Sequence, residues 1–277
     1  MSAAGIAPPR LIIDAAAPLF RKGWEEWCAI GAAAVLATVL VDADTLAALS
    51  QLGAWFRFLR EHRDRLRLAG TAADVRRAAQ DGKTAVVLHF QSSRPLGYDV
   101  GLVDEFKRLR VGVIQLAYNV RDPLGDGSLE ATDRGLSRLG HEVIKEMNRC
   151  GIVVDCSHAG VRTSLDGQHL TADDLIDHIT HISELVVVEH VGLGLDFFEA
   201  TPDEYRRLIE VGIWDEQSYP PPPYRYPAGI EGPSAIPSLV DHLSRRGFDR
   251  EAIDGVLGGN FLRVFERVWP TGCEVSD

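Results

Sequence analysis

Short apolar runs, each followed by a turn and then by a helical spacing of apolar residues, repeat along the chain. Candidate strands are RLIID (10–14), AAVLATVLV (33–41), AVVLHFQ (85–91), GVIQLAYN (112–119), GIVVDCSH (151–158) and HVGLGLDF (190–197), with LRLAG (66–70) a weaker seventh. The intervening helices carry recognisable starts and stops. Thr71 and Asp74 hold the capping-box spacing, and Thr171 and Asp174 repeat it. In SRLGHEVIKEMNRCG the stripe is Leu139, Val143, Ile144 and Met147, and Gly151 is the expected stop. DREAIDGVLGGNFLRVFERVW predicts a last helical region broken at Gly258-Gly259. The proline-rich stretch 218–237, SYPPPPYRYPAGIEGPSAIP, suits neither a helix nor a central strand and is read as a loop crossing one face of the domain.

Val- and Ile-rich strands alternating with helices predict a parallel sheet covered on both faces. No strand is followed by a GxGxxG or a P-loop, so an open nucleotide-binding sheet has no positive support. Several strands end instead on polar residues: Asp14, Gln91, Asn119, His158 and Asp196. A (β/α) barrel builds its site at such C-terminal strand ends. Side-chain alternation places Ala85, Val87, His89 and Gln91 on one face of their strand, and Val86, Leu88 and Phe90 on the other. The second set suits the covering helices, so Gln91 is expected in the barrel mouth with His89 one layer below. Gly192, Gly194 and Asp196 share a face, and glycines beneath a carboxylate leave room for a ligand or for large neighbours.

Composition narrows the function classes. The chain has 277 residues, 45% hydrophobic and 25% charged, enough for one barrel domain over 1–277. A formal charge of -11 argues against nucleic acid or an anionic membrane as the main partner. The longest basic stretch, RFLREHRDRLR (57–67), is broken by Glu61 and Asp64 and is read as a solvated helix face. Cys28, Cys150, Cys156 and Cys273 show no metal or disulfide spacing, which suits free thiols in a reducing compartment. The N-terminus lacks an apolar signal core, and the apolar run 28–41 is too short to span a bilayer. A cytoplasmic protein without a membrane span is expected. Asp174, His178 and His181 lie at i, i+4 and i+7, but Leu175, Ile179 and Ile182 take the core positions, so the polar set is read as solvated. His141 is expected to be exposed, and HExxH and GxSxG are absent.

The stretch 112–166, GVIQLAYNVRDPLGDGSLEATDRGLSRLGHEVIKEMNRCGIVVDCSHAGVRTSLD, resembles the core of the membrane (renal) dipeptidase family, the M19 metallopeptidases. HVGLGLDF and GVLGGNFLRVFERVW (255–269) resemble further parts of it. The resemblance implies a (β/α)8 barrel of the amidohydrolase type with a two-zinc site at the strand ends, where two cations activate a hydroxide and polarise a carbonyl. Such proteins use a His-x-Asp pair after the first strand, a bridging Glu, two later histidines, an Arg for the substrate carboxylate and an Asp after the last strand.

Residue by residue, much of that set is missing. The first strand reads DAAAPLF, so Asp14 is kept while Ala16 and Pro18 stand at the ligand positions. Gln91 aligns with the bridging Glu, His158 with one later histidine and Asp196 with the last-strand Asp. A bacterial branch of the family is similar at Gln91 and in lacking the His-x-Asp pair. After TSLD (163–166) roughly 60–70 residues are missing, two β/α units at ~30 each. The second histidine and the Arg have no counterpart. The resemblance thus implies a barrel short of about two of its eight units, with parallel edges that invite a second copy to cover them.

Three readings remain open at this point. One is a hydrolase of dipeptides or another small amide. It would hold at most one zinc ion, with His158 as the remaining ligand, Gln91 and Asn119 as substrate contacts and Asp196 as catalytic base. The second is a non-catalytic member that binds a small molecule or partner, and the third a truncated relative with no function of its own.

Overall fold

A computed structural model describes residues 11–18, 20–132, 134–159, 172–197, 201–216, 219–224, 226 and 228–269, without the side chains of Asp173, Asp174 and His178. The second capping box, which begins at Thr171, and the outward reading of Asp174 and His178 lie outside the described residues. His181 is exposed, as is His141.

Six parallel strands form one sheet: β1 (Ile13–Ala17), β2 (Ala34–Leu40), β3 (Leu66–Ala69), β4 (Thr84–Phe90), β5 (Val111–Gln115) and β6 (Val153–Asp155). The order is β1-β2-β4-β5-β6, and β3 pairs with the first half of β4 while β5 pairs with the second half. Ten α-helices accompany the sheet: α1 (Phe20–Ala29), α2 (Thr45–Glu61), α3 (Ala72–Gln80), α4 (Leu102–Arg108), α5 (Arg138–Cys150), α6 (Ala172–Val186), α7 (Pro202–Glu210), α8 (Leu239–Arg245), α9 (Arg250–Asp254) and α10 (Asn260–Val268).

The alternation read along β4 is realised. Val86, Leu88 and Phe90 join the cluster that packs under α2, α4 and α5, whereas Ala85 and Val87 join Ile13, Leu36 and Val113 on the interior side. Phe265 and Trp269 stack at 4.2 Å and plug that interior from one end. Helix starts follow the sequence signals. Thr71 accepts from the Asp74 amide while Asp74 answers to the Thr71 backbone, completing the capping box of α3. Ser137 caps α5, and Gly151 ends it with φ +72° in the left-handed region. The C-terminal region breaks where expected, with a π-turn over Gly255–Gly259 between α9 and α10.

Several expected boundaries move. The first strand runs from Ile13 to Ala17, with residue 10 outside the described residues, so Asp14 is near its start and not at its end. It turns toward α1, accepting a 2.9 Å hydrogen bond from Trp27 Nε1. The fifth and sixth strands stop at Gln115 and Asp155, because Asn119 (φ +60°) and His158 (φ +58°) adopt left-handed turns that no ladder accommodates. HVGLGLDF is not a regular strand. Residues 191–197 run extended beside β1, joined by Ala15 N to Leu193 O (2.9 Å) and Asp196 N to Ala16 O (3.0 Å). That stave stands where the last strand of a barrel would close onto the first. The basic stretch 57–67 is not one helix face: α2 ends at Glu61 and β3 begins at Leu66.

The result is a partial (β/α) barrel, with β6 at one edge and the 191–197 stave at the other. Among the described residues β6 pairs only with β5, and its residues are half-buried.

Candidate active site

The strand ends open onto a cavity of about 690 Å³. Gln91, His158 and Asp196 line it, from the ends of β4, β6 and the 191–197 stave. Aromatic rings line it as well: Tyr118 after β5, Trp214 after α7, and Tyr219, Tyr224 and Tyr226 from the proline-rich loop. Trp214 and Tyr219 stack face to face at 4.6 Å.

His158 is the best-fixed of these groups. Its Nδ1 lies 2.7 Å from Asn119 Oδ1, and its ring stacks on Tyr118 at 4.3 Å. Burial pulls its pKa below the ordinary imidazole value, against the raising influence of the Asp155 carboxylate, which favours a neutral ring. Asn119 is 1% exposed and does not line the cavity. Its Nδ2 donates to Ile213 O (3.1 Å) and to the Tyr219 hydroxyl (2.9 Å). The side chain is fully engaged, so Asn119 stands one layer behind the wall instead of touching a ligand.

The turn at residues 127–129 ties these two turns together. Leu129 N donates to Asn119 O (2.7 Å) and Ser128 N to His158 O (2.8 Å). Gly127 makes this approach feasible, since a Cβ there would fall 2.3 Å from the Asn119 carbonyl oxygen.

Asp196 has a left-handed backbone (φ +51°) and reaches solvent through the mouth. The protein packed around its carboxyl, and secondly the charge of Asp14, push its pKa up to about 6. Asp14 is fully buried and its own pKa is raised by that burial, against the hydrogen bonds from Trp27, Ala16 and Leu195. Gln91 is 8% exposed, its backbone amide bound to Leu40 O. One layer down, His89 is 3% exposed and its Nε2 lies 3.0 Å from Asp155 Oδ2. Burial alone would raise the Asp155 pKa, but hydrogen bonding and attraction to His89 outweigh it and hold the group at about 2.

Among the described residues the donors do not gather into a zinc site. Structural and catalytic zinc takes at least three protein donors, and no group of three His, Cys, Asp or Glu side chains gathers among the described residues. Pro18 forms cavity wall where a ligand would stand, and Ala16 packs 3.5 Å from the Cβ position of Gly194. Gly192 makes room for a neighbour rather than a ligand: its Cβ position lies 2.4 Å from the Phe261 ring.

Sequence reasoning missed the aromatic wall and the His89–Asp155 pair. Tyrosines at 219, 224 and 226 within a proline-rich loop were the available signal for the first. The shared inward face of His89 and Asp155 on their strands was the signal for the second.

Fold and site together define an α/β partial barrel of the amidohydrolase type. An amidohydrolase from Pseudomonas aeruginosa superposes with a TM-score of 0.82 at 25% identity, covering 94% of this chain and 97% of that one. A metallo peptidase from Rhodobacter sphaeroides superposes at 0.70 with 16% identity, covering 94% and 99%. In sequence, dipeptidase tcpJ of Claviceps purpurea is 22% identical over 76% of this chain, which spans 57% of the length of that relative. The signature of membrane dipeptidase, peptidase family M19, matches residues 28–167 and 223–272. The chain belongs to that family. The intervening residues 168–222, which include the 191–197 stave and α7, fall outside the match. No helix among the described residues is long and apolar enough to cross a membrane.

Proposed function

We propose that this chain hydrolyses a dipeptide or another small amide in the cavity at its strand ends, with Asp196 as general base. The observation that carries the reading is convergence: Gln91, His158 and Asp196 come from the ends of β4 and β6 and from the 191–197 stave to line one cavity in an M19 chain. A carboxylate with a pKa near 6 is ionised at neutral pH yet still a competent proton acceptor from water. Gln91 accepts or donates to the substrate amide, and Asn119 acts through His158. At most one zinc ion is part of the proposal, with His158 as its protein ligand; the two donors at the mouth stop short of three, and no step is assigned to it.

The substrate is a small, dipeptide-like molecule and not a nucleic acid, in keeping with the -11 charge. A second copy of the chain covering the open edge of β6 belongs to the same reading, as does a cytoplasmic setting, supported by the free thiols of Cys28, Cys150 and Cys156.

The incomplete donor set favours a second reading, a member that binds the same class of molecule without cleaving it. Zinc content and turnover of a dipeptide panel, measured with and without added zinc, separate the two. Hydrolysis abolished in Asp196→Asn, with no more than one zinc per chain and that zinc lost in His158→Ala, supports the hydrolase. Dipeptide binding in calorimetry without turnover supports the binder, and absence of both removes both.

A further inference from the structure

We infer that Asn119, anchored by the loop after α7, locks His158 in its Nδ1–H tautomer, so that in the metal-free chain the ring offers a bare Nε2 lone pair to the cavity, an acceptor for a hydrogen-bond donor of the ligand. The last step rests on the cavity being the ligand site; the tautomer itself does not.

The argument begins with the orientation of the Asn119 amide. Ile213 O is an acceptor only, and it lies 3.1 Å from Nδ2, so the nitrogen of the amide must face it. That fixes Oδ1 on the His158 side, 2.7 Å from Nδ1. A carbonyl oxygen cannot donate, so Nδ1 carries the proton. Above the ordinary imidazole range the ring is neutral, and with the proton on Nδ1 its lone pair lies on Nε2. No other hydrogen bond to the ring is made by the described residues, and His158 is part of the cavity wall.

The surroundings hold this arrangement from three sides. The Tyr219 hydroxyl sits 2.9 Å from Nδ2 and 3.2 Å from Oδ1 of Asn119. Tyr118 supports the face of the imidazole, and the Tyr118 hydroxyl in turn accepts from Trp214 Nε1 at 3.3 Å. Residues 127–129 fasten both left-handed turns from the other side. Free histidine prefers the opposite, Nε2–H form. The protein therefore selects the minor tautomer, and with the Asp196 carboxylate also an acceptor, this side of the cavity suits an amide N–H, an amine or a water molecule. Asn119 and Tyr219 are positioning residues on this account.

Two-bond ¹H–¹⁵N correlation spectra of histidine-labelled protein test it, recorded without substrate, after chelation, at about pH 8, above the imidazole range. The His158 signal, assigned by its loss in His158→Gln, should show a protonated Nδ1 and a bare Nε2. Asn119→Ala should move the signal to the Nε2–H pattern, and Tyr219→Phe should give a mixture. Asn119→Asp, which keeps an acceptor and tolerates the left-handed backbone, should retain the wild-type pattern. An Nε2–H pattern in the wild type overturns the inference even where Asn119→Ala fails to fold, as does an unchanged pattern in a folded Asn119→Ala. Because no substrate is present, these outcomes are independent of whether the chain hydrolyses anything.

Discussion

Asn119, His158 and Asp196 each hold a left-handed backbone, a conformation that costs a residue with a Cβ roughly 1–2 kcal/mol. Each sits where a stave of the barrel gives way to the mouth, and the turn swings its side chain out of the alternation of the strand. Strain persists only where the surroundings over-determine it, and here the hydrogen bonds from residues 128 and 129 do so for two of the three. Asp155 and Asp196 are tuned in opposite directions, and their stability effects follow with opposite signs. Asp155 is held at about 2, below its ordinary value of 3.8, so its contribution is complete above about pH 4 and fades as the pH falls through 2. Asp155→Asn should cost about 2 kcal/mol near neutrality, with the deficit shrinking in urea melts taken below pH 4. A deficit that stays constant down to pH 2 would contradict the pairing with His89. Asp196 is raised to about 6, so its ionised form weighs against folding above that pH. Asp196→Asn should raise the melting temperature at neutral pH and leave it unchanged below about pH 4, where the wild-type group is neutral in both states. These residues were partly legible in the sequence. Gln91, His158 and Asp196 stood at apolar-run ends, but the engagement of Asn119 depends on Ile213 and Tyr219, about a hundred residues away, and no local pattern encodes that.

At the scale of the element, capping chemistry and alternation carried the reading well. Thr71 and Asp74 satisfy each other's backbone donors at the start of α3, as their spacing implied. Thr71→Ala should cost about 1 kcal/mol in chemical denaturation; a neutral outcome would mean that α3 is held by packing of Val75 and Ala78 alone. Boundaries were less legible where tertiary context intervened. HVGLGLDF reads as a strand, yet it lies at the margin of the sheet, with one neighbour among the described residues and only two backbone bonds to β1. Asp14 read as a strand-end group because Ile12 and Ile13 precede it, but the indole of Trp27 draws it to the helix side. The proline-rich stretch was recognisable as a loop only in part, since its end, Pro233–Ser238, forms a 3₁₀ helix that the sequence reading excluded; its tyrosines reach the cavity at the strand ends.

For the molecule as a whole, the partial barrel has two edges among the described residues where a full barrel has none. The three residues of β6 present unpaired backbone groups on one side among the described residues, and such an edge tends to recruit another chain. Light scattering coupled to size exclusion should therefore report a dimer or larger assembly. The amides of Val153 and Val154 should exchange slowly in that assembly; a monomer with fast exchange at β6 would contradict the covered edge. The family and the partial barrel were legible from the motifs around His158 and from the gap after Asp166, because both depend on local sequence. Whether the remaining groups act on a bound amide is a property of their joint geometry. The most direct measurement is the rate of dipeptide hydrolysis by zinc-supplemented protein near pH 8, wild type against Asp196→Asn. The account predicts a wild-type rate at least ~100-fold above that of the variant, the range expected for loss of a general base. Equal rates in the two proteins, or tight dipeptide binding with no turnover in the wild type, would contradict it.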